Sequence, residues 1–325
     1  MPQESVLYAV GRLRMLRRHL LTPAQKQRLI AAQDATEAQK LLLEYGYITS
    51  EQPDVEQASV DRLLAASRMV QRLTPDPATT DSFLLRNDVH NLKTLLKARI
   101  LREEPEGLSA GGTLDVEALR HAVAEHSYGR LPVPLKETME LLEKRIAITV
   151  DPMEIDVRLD QAMYRMMAEG LKHSRSPAAR KWLAAKADFV NLRSYLRLKN
   201  MQAPLELKDV LVEGGDFYKA FQRGHETGDQ IVRRVSAVYS QQITQTAVRA
   251  LEDRAQIGTL ERQMEGYLRQ LFEKERMKPD SIDAVIDYLL SVEEESADVR
   301  LIMAGKRNGL SPEDIQARLR RGYGR

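Results

Sequence analysis

The sequence predicts an all-α protein of three similar helical bundles, and three observations carry that prediction. Ala, Leu, Glu, Arg, Lys and Gln dominate the 325 residues, with only 17 glycines and 13 prolines, a composition that favours helices. Aromatic residues make up 5%, and no sustained alternation of β-branched residues appears, which argues against a substantial sheet. A twelve-residue helical pattern is also written twice and echoed a third time.

Residues 88–99 are DVHNLKTLLKAR and residues 188–199 are DFVNLRSYLRLK, with Asp, Asn, Leu and Leu repeating at the first, fourth, fifth and ninth positions. Residues 295–306, ESADVRLIMAGK, keep an acid first, an aliphatic fifth, a basic residue sixth, an aliphatic ninth and a basic residue last. At 3.6 residues per turn, Leu92, Leu95 and Leu96 share one side, as do Leu192, Tyr195 and Leu196, then Val299, Ile302 and Met303. That side faces a core. Lys93, Arg193 and Arg300 project away at equivalent phases and are the candidate partner-binding residues. Asp88, Asn91, Asp188 and Asn191 fall within or beside the apolar stripe, so each is expected to be a buried polar group with a partner donor from another helix of its unit, a basic or hydroxyl side chain in the case of Asp88 and Asp188. Asp298 stands where the other copies have Asn91 and Asn191. One helix used three times suggests a ring or arc of three bundles.

In chain order, helices are expected over 5–21, from Thr22-Pro23 onward, over 36–43 and over 55–73. The first motif helix spans about 79–102. A short helix to His126 follows, and GRLPVP closes the first unit. The second unit repeats the plan with helices near 155–173, 178–200 and 205–212, with breaks at Pro177 and at Ala203-Pro204. The third has long helices at 230–253 and 260–276, a break at Pro279 and a motif helix at 281–304. Ser311-Pro312-Glu313-Asp314 is a strong helix start. The expected domains are 1–128, 129–224 and 225–325. The segments 36–47, 116–128 and 312–323 are also alike, each with an early acid and a Tyr at its end.

Chemistry is hard to find in these residues. Neither G-x-x-x-x-G-K-[ST] nor G-x-G-x-x-G occurs, and the six histidines form no H-E-x-x-H or E-x-x-H pair. Asp156 and Asp160, with Glu154 nearby, have chelating spacing, but Arg158 and Arg165 beside them favour an ion-pair ladder. No catalytic residue, metal site or cofactor is therefore expected. The 49 basic and 47 acidic residues are interspersed, so global charge does not indicate nucleic acid. The cluster RLRMLRRH near the N-terminus admits a nucleic-acid or lipid contact, but a solvated helix face is the plainer reading. The absence of cysteine suits a reducing compartment, and no stretch approaches a membrane span.

YAVGRLRML, the NLK and NLR helices and VRLIMAGKRNGLSPEDIQARL together resemble the C-subunit family of V-type and A-type rotary ATPases and ATP synthases, whose eukaryotic equivalent is the V-ATPase d subunit. The resemblance covers essentially the whole chain, and GKRNGLSPEDIQARL and NLKTLLKAR are its most specific parts. It implies a funnel-like protein of three bundles in pseudo-threefold arrangement, non-catalytic and part of a rotor. The implied partners are the central shaft subunits and the membrane proteolipid ring, with a cytoplasmic location peripheral to the membrane. The competing reading is a generic helical-repeat scaffold that binds other proteins, although solenoid repeats are much shorter than the spacing of about 100 residues here.

Overall fold

The structure is a computed structural model and describes residues 6–49, 54–199, 206–223, 227–273 and 281–319. All regular structure among these residues is helical: α1 Val6–Arg17, α2 Pro23–Ala31, α3 Ala35–Glu44, α4 Val55–Leu73, α5 Pro77–Leu101, α6 Val116–Ala124, α7 Val133–Ile146 and α8 Pro152–Leu171. There follow α9 Pro177–Lys199, α10 Leu207–Val210, α11 Tyr218–Gln222, α12 Gly228–Val238, α13 Gln241–Glu252, α14 Ile257–Glu273, α15 Asp283–Arg307 and α16 Pro312–Arg318. The motif helices are α5, α9 and α15. Residues 1–80 with 272–325 form one compact unit, and residues 81–271 form the other.

The discontinuous unit is built around α15. This helix is buried on nearly every side, and α1, α2, α3, α4 and α16 all pack on it. Leu29, Leu42, Val55, Val299, Ile302, Met303 and Ile315 form its apolar core. The cap chemistry is as the sequence demands. Thr22 and Gln25 make a reciprocal capping box with Pro23 in the first turn of α2, and Ser311 accepts from the Asp314 N–H ahead of α16.

In the other unit, Leu92 and Leu96 of α5 join Leu119 of α6, Leu135 and Met139 of α7, and Leu159 of α8. Around α9 the core is aromatic: the ring centres of Phe189 and Tyr239 lie 4.8 Å apart, and Phe217 meets Phe221 and Tyr239 edge-on.

The helices α7 and α11 were not expected, α10 is shorter than the 205–212 expected, and two of the differences have a plain local cause. GRLPVP is not a terminator: Pro132 is the N-cap and Pro134 sits in the first turn of α7, where a missing N–H costs nothing. The expected helix over 230–253 is two helices. Tyr239 is extended (φ −113°, ψ 170°), and Ser240 caps α13 by accepting from the Ile243 N–H. The proposed breaks at Ala203-Pro204 and Pro279, and the terminal Tyr323, lie outside the described residues.

Candidate functional site

Each motif helix holds its neighbours by a repeated set of polar contacts. Position one binds backbone N–H groups. Asp88 accepts from the Thr113 N–H (2.9 Å), the Thr113 hydroxyl (2.7 Å) and the Leu114 N–H (2.9 Å). Asp188 accepts from the Phe217 N–H at 2.7 Å and the Tyr239 hydroxyl at 2.8 Å. Glu295 accepts from the Leu21 N–H and from Arg62 at 2.7 Å. Both aspartates are 0% exposed. Among the described residues, no basic side chain contacts either one.

That arrangement sets their electrostatics. Burial pushes Asp188 up to about 7, against the opposing pull of its hydrogen bonds, and Asp216 nearby adds to the rise. Asp88 is raised too, chiefly by burial, with the Thr113 and Leu114 donors working against the shift.

Position four explains the difference between copies. The Asn91 amide reads both polar groups of one residue: its Oδ1 accepts from the Ser109 N–H (2.8 Å) and its Nδ2 donates to the Ser109 carbonyl (2.7 Å). Asn191 does the same with Val212, both at 2.9 Å. A carboxylate has no donor for the carbonyl. Asp298 faces Lys26 instead, at 2.9 Å with both side chains buried.

Position twelve reaches the C-terminal end of a helix. Arg99 donates to the Val123 carbonyl (2.6 Å) in the last turn of α6, and Lys306 donates to the carbonyl of Ala32, the C-cap of α2. Lys199 reaches the Leu251 carbonyl near the end of α13 at 3.4 Å. In the first and third copies a single helix of nine residues is therefore gripped at both ends. An acid meets its N-terminus and a cation its C-terminus, in the sense the helix dipole favours. In the second copy the two grips fall on different segments, ahead of α11 and at the end of α13.

Position six carries Lys93, Arg193 and Arg300, and each meets an acid of a neighbouring helix. Lys93 pairs with Asp160 of α8 at 2.7 Å, Arg193 with Glu261 of α14 at 3.9 Å, and Arg300 with Glu56 of α4 at 2.6 Å. Lys97 adds Asp156 at 2.7 Å. The ladder on α8 is thus completed from α5, while Arg158 and Arg165 pair with Glu154 and Glu213. Lys93 and Arg193 both line one groove of about 580 Å³, with Arg197, Asp156 and Asp160 at its polar side. Arg300 belongs to the other compact unit. No group of three metal-ligating side chains occurs among the described residues.

The family model for the ATP synthase (C/AC39) subunit matches residues 9–318, spanning all three motif helices. The chain belongs to this family. It is 25% identical to the C subunit of the A-type ATP synthase of Methanosarcina mazei, over 73% of this chain and 68% of that one. It is 27% identical to the corresponding A-type protein of Halobacterium salinarum, over 73% and 72%. It is 29% identical to the C subunit of the V-type ATP synthase of Thermus thermophilus, over 67% of each.

Two glycines of this family member escape a reading that treats Gly-Gly only as loop or helix end. A Cβ on Gly112 would lie 2.0 Å from Asp88 Oδ1, and one on Gly215 would lie 2.2 Å from Asp188 Oδ1. The signal was present, since each motif aspartate is followed by one Gly-Gly pair, at 111–112 and 214–215.

Proposed function

We infer that this chain is a non-catalytic central-stalk component of a rotary ATP synthase or ATPase. It is a rigid socket that couples the central shaft to the membrane proteolipid ring and transmits torque between ATP chemistry and ion transport. Three motif units, with chain-order limits near 128 and 224, would stand about a pseudo-threefold axis in a funnel-like body. The observation that carries this reading is the repeated grip of the motif helix on its neighbours. A torque adaptor needs stiffness, and here stiffness comes from buried polar contacts at both ends of packed helices as well as from apolar packing. Family membership supports the same assignment. Lys93, Arg193 and Arg300 remain the proposed contact residues, offering a partner a half-exposed ion pair rather than a lone charge.

The test is reconstitution of the membrane complex with and without this chain, measuring ATP hydrolysis and ion pumping together. Hydrolysis without pumping is the expected result of omission. Unchanged pumping would overturn the adaptor role.

A further inference from the structure

The outer face of α1 carries large apolar side chains that are exposed. Its inner face buries Ala9, Val10 and Leu13, and α1 packs on α15, with Arg17 paired to Asp287. The opposite face centres on Leu7, Gly11 and Met15, with Tyr8 beside them. Leu7 is 61% exposed and Met15 57%. On a helical projection Arg12 and Arg14 flank this stripe on opposite sides, and Arg18 continues it at the C-terminal end; all three are exposed. A Cβ at Gly11 would touch nothing within 4 Å, so the stripe opens directly to solvent. Residues 5–33 contain no acid at all.

We propose that this face of α1 docks on an anionic lipid surface, with Leu7 and Met15 entering the headgroup boundary and Arg12 and Arg18 engaging lipid phosphates. Charge complementarity selects this occupant. The chain as a whole is nearly neutral, at +2, so a general electrostatic attraction is weak and any binding must come from a local patch. Exposed apolar side chains beside Arg12 and Arg18, on a helix whose own sequence holds no acid, form the pattern of a helix lying in a membrane interface. No helix among the described residues is long and apolar enough to cross a membrane, so the contact is peripheral. A protein partner would find few directional hydrogen-bonding groups on this face besides the guanidinium groups.

The experiment is co-sedimentation of the full chain with phosphatidylcholine vesicles and with vesicles containing about one third phosphatidylglycerol, at low and moderate salt. Binding is expected only to the anionic vesicles and should weaken with salt. Leu7→Ser/Met15→Ser and Arg12→Glu/Arg18→Glu should each weaken it by more than about tenfold. A control that reverses two basic charges elsewhere, Arg120→Glu/Lys172→Glu, should leave it unchanged. All substituted side chains are exposed except Arg120, which is half-buried, and unfolding midpoints matching the parent chain would show that the fold is kept. Equal binding to both vesicle types, or binding indifferent to the α1 changes, overturns the proposal. So does loss of assembly with a proteolipid ring in neutral lipid in the same variants, which would give the face to a protein partner. Because the vesicles hold no other protein, this outcome is independent of the coupling assay.

Discussion

Asp88 and Arg99 hold opposite ends of the same helix. One carboxylate takes the N–H groups just ahead of α6, and one guanidinium takes the Val123 carbonyl in its last turn. The two residues lie eleven positions apart on α5, a rise of about 16 Å, which matches the length of a nine-residue helix with its caps. Glu295 and Lys306 repeat the arrangement on α2. The spacing of acid and base in the motif is therefore a measure of the helix it carries.

The buried aspartate of the second copy should make stability depend on pH. Asp188 is raised to about 7 from an ordinary 3.8, so the folded state binds its proton more tightly than the unfolded chain does. Its contribution is fully present below about pH 4, falls as pH rises from there through about 7, and is constant above that. Urea unfolding from pH 4 to pH 8 should show this loss, a few kcal/mol in size. Asp188→Asn should remove that part of the slope, and an unchanged slope would refute the assignment.

Gly112→Ala and Gly215→Ala should each destabilise the fold by about 1–3 kcal/mol, since the new methyl group drives into a gripped carboxylate and the strand of contacts around it. Gly11→Ala is the matched control. It lies in a helix with open space at its Cβ, so it should stabilise by about 0.5–1 kcal/mol. Thermal unfolding of the three variants gives the comparison.

The third copy should be the sensitive one to loss of charge. Asp298→Asn takes away the buried carboxylate that Lys26 meets at 2.9 Å, with an expected cost on the order of 3–5 kcal/mol. The double replacement Lys26→Met/Asp298→Leu should recover most of that loss. Denaturant titration of the single and double variants measures the coupling, and additivity would show that the pair is not a unit.

Lys306→Met should loosen α2 from its C-terminal end. The lost hydrogen bond to Ala32 leaves a buried carbonyl without this donor, at about 1–3 kcal/mol. Hydrogen exchange should quicken at the last turn of α2 while the α6 amides, held by Arg99, keep their protection.

Much of this was legible in the sequence. The helical class, the caps at Thr22 and Ser311, and the burial of the apolar motif positions follow from spacing and composition. The phase of Asp88 and Asp188 also announced buried carboxylates. The expected hydroxyl donors are there, from Thr113 and Tyr239, but no basic side chain joins them among the described residues. The backbone donors did not follow, because N–H groups leave no mark on the sequence, and the loops that supply them are fixed only by packing. The likeness of segments 36–47 and 116–128 proves to be a shared helix end. Gly46 and His126 adopt left-handed backbone, followed by the buried Tyr47 and Tyr128. It does not mark equivalent places around the motif helix, since α2 rather than α3 takes the part of α6. Position six looked outward on a single helix, yet acids on α8, α14 and α4 meet those cations, and a helical projection cannot show which neighbour will arrive.

The interruption of one compact unit by the other sets an order of assembly. Lys26, Arg17 and Arg62 meet acids of α15 more than 200 residues further along the chain. During synthesis, α1 to α4 leave the ribosome without the α15 surface they pack on and without the α15 acids that Arg17, Lys26 and Arg62 meet. The intervening unit has its whole sequence available earlier. It therefore completes first, and the discontinuous unit closes last, as a late and slow step governed by long-range contacts. A nascent chain stalled before residue 283 would carry one finished unit and one waiting half, which makes α1 to α4 the segment most in need of a chaperone.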